Sequence, residues 1–362
     1  MSVSIPDSDP LNYDRMPASL RDRLKRPQRE QRKVIDPIAV NAIHVGDATA
    51  LLGRIERNSV DLSVWSPPYH VGKAYEAHLD FEAWQSLLRT VIAEHYGALK
   101  PGGFLVINIA DILCFRDETM PKVQAANVSR HRSTVTREMV MQAISAHPDY
   151  NRYQLAEFLG CSEQTIDRRL NGNNIRGGKY DTQTRVKIVG GLIEEWALEA
   201  GFYPYDRRIW VKDAAWENSR WATISYRSVD EFEYLYFFWK PGVTTVDRSR
   251  LSQQEWKEWG SRGVWNFPSV RANDDHEAKF PLELPTRVIK LLTDPDDVVL
   301  DCFMGSGTTA VAAVNLGRRY IGIELLDRYA RLARKNVAEV QSARTRSGRN
   351  HVPRAKVPRT RS

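Results

Sequence analysis

The chain has 362 residues, 42% of them hydrophobic, enough apolar material for a packed core, which excludes wholesale disorder. A formal net charge of +7 suits a polyanionic partner, because Lys and Arg neutralise phosphates and release counterions. Cys114, Cys161 and Cys302 are spaced too widely for a zinc pattern or a disulfide framework, Met1–Pro10 lacks the apolar core of a secretory signal, and no uncharged apolar run reaches the length of a membrane span; a cytoplasmic, non-membrane protein is expected.

Residues 1–40 are polar, with a basic cluster from Arg21 to Lys33, and read as an extension. A strand is expected at Ala42–Val45, ending in Gly46-Asp47, followed by a short helix from Ala48 to Arg57. The apolar strand Val60–Trp65 runs into Ser66-Pro67-Pro68-Tyr69. Phe81, Trp84, Leu87, Leu88, Val91 and Ile92 recur at helical spacing and predict a helix over 81–98. Lys100-Pro101-Gly102-Gly103 reads as a turn before a buried strand at Phe104–Ile109. Residues 115–187 are polar and basic and break the alternation, which marks an insert between a first part of the main domain, 41–114, and a second, 188–340. The alternation resumes with a helix at Gly191–Ala200 and strands at Arg207–Lys212, Glu231–Trp239, Asp297–Asp301 and Tyr320–Ile323. From Gln341 onward come Arg344, Arg346, Arg349, Arg354, Lys356, Arg359 and Arg361 with no acid, so 341–362 reads as a disordered basic tail. Seven strands mostly separated by helices predict an open, doubly wound, Rossmann-like α/β sheet, with ligands bound beyond the carboxyl ends of its strands.

Two segments carry chemistry. Val298-Val299-Leu300-Asp301 is a strand ending in an acid, followed by Cys302-Phe303-Met304-Gly305-Ser306-Gly307-Thr308-Thr309 and a helix. Glycines there let the backbone approach a ligand, and the helix start offers free N–H groups. Glu324, closing the next strand, can accept hydrogen bonds from both hydroxyls of a ribose. No Gly-Lys-Ser/Thr follows, which argues against a phosphate loop and for a nucleoside ligand; a plain strand–helix turn is the other reading of the loop alone.

Ser66-Pro67-Pro68-Tyr69 is the second segment. Prolines fix the backbone and leave carbonyls free to accept. An exocyclic amine on a base is a poor nucleophile because its lone pair is delocalised into the ring. A hydroxyl and a rigid carbonyl accepting from that amine would aim its lone pair at an electrophilic methyl group, while Tyr69 stacks on the extruded base. Taken alone, the tetrapeptide also fits a simple proline turn.

In this order the two segments resemble the beta-class amino methyltransferases of DNA, over residues 41–115 and 190–337. The resemblance implies S-adenosylmethionine as cofactor, double-stranded DNA as substrate, and Ser66, Pro67, Pro68 and Tyr69 as the catalytic segment. It implies that Asp47 meets the cofactor adenine and that the segment holding Ala278, Phe280 and Pro281 takes the methionine end. Asp301, Phe303, Gly305, Ser306, Gly307, Thr308 and Glu324 complete the implied cofactor site. Cys302 stands where the family usually has proline, and His70 where Asn is common. Ser in first place is similar to the cytosine-N4 enzymes; the adenine-N6 enzymes usually carry Asp. None of the three cysteines follows a proline, which disfavours covalent attack on C5 of cytosine.

Within the insert, Tyr153–Gly160 reads as a short amphipathic helix, Ser162 as the N-cap of a second from Glu163 to Leu170, and Val135–Ala146 as a helix before them. Ala156, Gly160, Ile166 and Leu170 have helix-turn-helix spacing, which exposes Gln164, Thr165, Arg168 and Arg169 as candidate DNA-binding residues. A helical hairpin serving packing or a homodimer is the alternative. So are, for the whole chain, a DNA-binding regulator without catalysis and a methyltransferase acting on RNA or a protein amide. No metal site is expected.

Overall fold

The computed structural model describes residues 34, 36–68, 80–114, 133–171, 185–213, 231–270 and 280–349. The N-terminal basic cluster, Tyr69, His70, Ala278 and the chain beyond Arg349 lie outside the described residues.

In chain order the elements are β1 (Ala42–Val45), α1 (Ala48–Leu51), β2 (Val60–Trp65), α2 (Phe81–Ala98), β3 (Leu99–Ile109) and β4 (Ile112–Cys114). There follow α3 (Arg137–Ala146), α4 (Arg152–Phe158), α5 (Glu163–Leu170), β5 (Arg185–Lys187), α6 (Gly190–Ala200), β6 (Tyr203–Val211) and β7 (Phe232–Trp239). The chain ends with α7 (Gln253–Glu255), β8 (Val264–Asn266), α8 (Glu283–Leu292), β9 (Val298–Asp301), α9 (Thr308–Asn315), β10 (Arg319–Glu324) and α10 (Asp327–Arg349). Two compact units result: Met1–Ile112 with Lys187–Asp213 and Glu231–Ser362, and Leu113–Val186 with Ala214–Asp230.

The first unit holds a sheet of eight strands, ordered β1-β10-β9-β2-β3-β7-β6-β8. Seven were expected. The additional one is β8, three residues long and too short for any period-2 pattern to announce it; it pairs in parallel with β6 through Ile209↔Val264. β1, β10, β9, β2 and β3 pair in parallel, whereas β7 runs antiparallel to both β3 and β6. The expected turn at Lys100–Gly103 is instead part of β3. Val60 pairs with Leu99 and Leu62 with Phe104, so these residues bulge within the strand, and Gly102 takes a positive φ of 85° where a side chain would strike the Val243 carbonyl. The expected tail also begins late: α10 continues through Gln341 to Arg349, because Ala, Arg, Gln and Glu carry helical propensity whatever their charge.

Strand faces follow the two-residue period. Leu62 and Val64 join Val288, Ile289, Ala312 and Ala333 in a core under α8, α9 and α10. Trp65 points the other way, to α2, which buries Trp84, Leu88, Val91, Ile92, His95 and Ala98 and packs beside α6. Helices on both faces leave the central strands almost wholly apolar. The chain leaves β2 toward β3 and leaves β9 toward β10, in opposite directions across the sheet. The crevice of such a sheet opens at that reversal, beyond the carboxyl ends of β2 and β9.

The second unit has its own small core of Val135, Val140, Ala143, Leu155, Ala156 and Ile166. Asn151 and Gln154 form a reciprocal cap at the start of α4, and Ser162 caps α5. Gly160, at φ 61°, turns the chain between them.

Candidate active site

At the reversal, Ser66 begins the segment after β2 and Phe303 lies in the loop after β9. Ser63 pairs with Leu300 in register and donates its hydroxyl to the Leu300 carbonyl at 3.1 Å. Two residues further on, the Trp65 ring meets Phe303 edge to face with centroids 5.3 Å apart. The tetrapeptide and the glycine loop are therefore joined at their bases by an aromatic contact. Pro67 is buried, while Ser66 and Pro68 are half-buried.

Two side chains of α2 grip this segment. The Trp84 indole N–H donates to the Pro68 carbonyl at 2.6 Å. The Trp65 indole N–H donates to His95 Nε2 at 3.2 Å, and His95 Nδ1 in turn donates to the Val91 carbonyl at 2.7 Å. That pair of bonds requires a neutral imidazole protonated on Nδ1, and burial pushes the His95 pKa down to about 4. Sequence reasoning missed both roles. His95 does continue the apolar stripe of Trp84, Leu88, Val91 and Ile92, and a histidine on such a stripe was the available signal.

The glycine loop is organised by two buried acids. Asp301 accepts from the Phe303 amide at 2.9 Å and from the Thr309 hydroxyl at 2.6 Å, one bond per oxygen. Burial, with the nearby Glu324 charge adding, pushes its carboxyl up to about 7, against the pull of those two hydrogen bonds. Glu324 accepts from the Gly305 amide at 2.8 Å and from the Leu326 amide at 2.9 Å, and burial raises its pKa as well. Gly307 starts α9 with φ 91°, and a Cβ there would lie 2.9 Å from that of Ala333, so only glycine lets α9 and α10 close on the loop. Ser306 is buried and its carbonyl accepts from Asn336 at 2.9 Å; Thr308 opens α9.

Asp47 follows β1, next to β10 in the sheet. Val45 pairs with Glu324, and the Gly46 amide donates to the Glu324 carbonyl at 3.0 Å. Asp47 caps α1 through the Thr49 amide at 2.7 Å. Phe280 packs on the core under α8, and the Pro281 carbonyl accepts from Leu284 at its first turn. The structure thus gathers Ser66–Pro68, Asp47, Asp301–Thr308 and Glu324 at the carboxyl ends of four adjacent strands. Gln164, Thr165, Arg168 and Arg169 belong to the second unit. There Gln164, Arg168 and Arg169 are exposed, Thr165 shares a hydrogen bond with the capping Ser162, and Arg169 Nε also donates to the Val135 carbonyl at 2.7 Å. Among the described residues no group of His, Cys, Asp and Glu is arranged to hold a metal ion, and no helix is long and apolar enough to cross a membrane.

A mixed α/β sheet of this order, with a glycine loop and a terminal acid beside a rigid Ser-Pro-Pro segment, defines a methyltransferase-like fold. The chain belongs to the DNA methylase family, whose model matches residues 60–335. Among its relatives, Type II methyltransferase M.BglI of Bacillus subtilis is 61% identical over 297 residues, covering 82% of this chain and 85% of that protein. DNA adenine methyltransferase YhdJ of Escherichia coli (strain K12) is 27% identical over 317 residues, covering 84% and 85%. Among solved structures, TTHA0409 of Thermus thermophilus, complexed with S-adenosyl-L-methionine, superposes with a TM-score of 0.54 at 28% identity, covering 83% of this chain and 94% of that one.

Proposed function

We propose that this chain is a site-specific DNA methyltransferase that moves a methyl group from S-adenosylmethionine to the exocyclic N4 of cytosine in duplex DNA. The observation that carries this reading is the juxtaposition of Ser66-Pro67-Pro68 with the glycine loop across the β2–β9 crevice, tied by the Trp65–Phe303 contact. The residues present suit the cofactor. A buried carboxylate at Glu324 repels phosphate but accepts ribose hydroxyls, and Asp47, beside it at the end of β1, adds negative charge that favours a cationic sulfonium. When bound, that sulfonium supplies an electrophilic methyl group.

The protein's own part is orientation. Ser66 and the Pro67 carbonyl accept one hydrogen bond each from the target amine, and Tyr69 stacks on the extruded base. The amine lone pair then faces the methyl carbon. The new N–C bond forms as the S–C bond breaks, and the proton leaves to water. No covalent enzyme intermediate is needed, and Ser66 acts without ionising. The second unit supplies sequence readout, with α5 as recognition helix and Gln164 and Arg168 as its outward side chains.

Ser66 in first place favours cytosine N4. A second product, N6-methyladenine, is favoured by the similarity to an enzyme named for adenine, and the same acceptors serve either amine. Nucleoside mass spectrometry of DNA from cells expressing the protein separates the two. N4-methylcytosine is the expected product, absent with Ser66→Ala; N6-methyladenine alone refutes the base assignment.

A further inference from the structure

The planar peptide unit that carries the Pro68 carbonyl is where the tetrapeptide leaves the rigid part of its backbone. Two consecutive prolines fix φ at 67 and 68 and restrict ψ at Pro67, but ψ of Pro68 is set by neither ring. Something else must hold that unit still. The Trp84 indole does so at 2.6 Å, and Trp84 is itself immobilised: it is 0% exposed, stacks on Phe81 at 5.6 Å and meets Trp196 edge to face at 6.3 Å. His95 lies eleven residues further along α2, about three turns of 3.6 residues and hence on the same face, and secures Trp65 just before the tetrapeptide.

Resting on the methyltransferase reading above, we infer that Trp84 is a positioning residue for methyl transfer. Its N–H occupies the Pro68 carbonyl and leaves the Pro67 carbonyl as the backbone acceptor for the target amine. The device works through one hydrogen bond rather than through the bulk of the ring. Trp84 acts through the Pro68 carbonyl, so its loss is expected to act on the rate of transfer and spare both affinities.

The test removes the bond and keeps the shape. Replacing Trp84 by benzothienylalanine exchanges the indole N–H for sulfur, and replacing Tyr69 by its α-hydroxy acid turns the Pro68 carbonyl into an ester, a weaker acceptor, with no side chain altered. Single-turnover transfer to duplex DNA is measured beside cofactor and DNA dissociation constants and the melting temperature. Both variants are expected to transfer roughly 10- to 100-fold more slowly, as a misplaced near-attack geometry does, with both dissociation constants within about twofold of the wild type. A wild-type rate in either folded variant overturns the inference, as does a loss of rate that merely follows a loss of cofactor affinity or melting temperature. Should the sulfur variant not fold, the ester variant decides. Absence of any methylated amino base with the unmodified protein defeats the methyltransferase reading itself, a result that differs from a variant matching an active wild type.

Discussion

Asp301 is buried, one oxygen holding the Phe303 amide and the other the Thr309 hydroxyl. Its contribution to the proposed cofactor site is the shape of the loop, whereas Glu324, 8% exposed against 1% for Asp301, is the more accessible of the two acids. The burial of Asp301 has a consequence for stability. Its folded pKa of about 7 lies above the ordinary 3.8, so between those values the folded state binds the proton and the unfolded state does not. Its contribution to stability thus falls as pH rises from about 4 to 7 and stays constant above that. Asp301→Asn is neutral throughout and lacks this slope. Denaturant unfolding at pH 5 and pH 8 should show the variant gaining on the wild type as pH rises; a constant difference would mean that Asp301 titrates normally. At this scale the sequence was legible where chemistry is local. A strand, an acid and a glycine loop can be read in order along the chain. Trp84 and His95 could not, because their meaning depends on which strand end lies beneath α2.

The helices of the second unit show how neighbouring residues of one type part company once an element is packed. Arg168 and Arg169 both close α5 and both offered themselves as DNA contacts. Both are exposed, but only Arg169 reaches back, its Nε donating to the Val135 carbonyl ahead of α3 and tying the two helices together. Arg168→Ala should weaken DNA binding with no change in melting behaviour. Arg169→Ala should lower stability by about 1 kcal/mol through the lost hydrogen bond, which a calorimetric or denaturant melt measures. Equal effects of the two variants on stability would contradict the assignment. Elements with a long period were legible: the apolar stripe from Phe81 to Ala98 delivers α2 with the expected bounds. β8 was not, since three residues carry no period. The Pro-Gly-Gly in β3 misled because a bulge and a turn use the same residues, and the end of α10 misled because a polar, basic helix has the composition of a tail.

At the scale of the molecule, both chain passages into the second unit's helices run through one short ribbon, β4 and β5, which among the described residues pair only with each other. Joining residue 112 to residue 187 through a short linker removes the α3–α5 core while leaving every strand of the eight-stranded sheet in the chain. The shortened protein should bind S-adenosylmethionine with unchanged affinity by calorimetry and lose site-selective methylation. Selective methylation surviving the deletion would move sequence readout back to the first unit. The path of α10 sets a different kind of limit. It begins just after the carboxyl end of β10 and runs for about 34 Å at 1.5 Å per residue, returning until Arg344 lies beside Gly317, at the amino end of that strand. The crevice and the end of this helix thus occupy opposite poles of the sheet. Cargo joined directly after Arg349, whether a fluorescent reporter or a programmable DNA-targeting module, would depart from the pole opposite the crevice proposed to take the base, and its leash would have to travel the full depth of that unit to reach it.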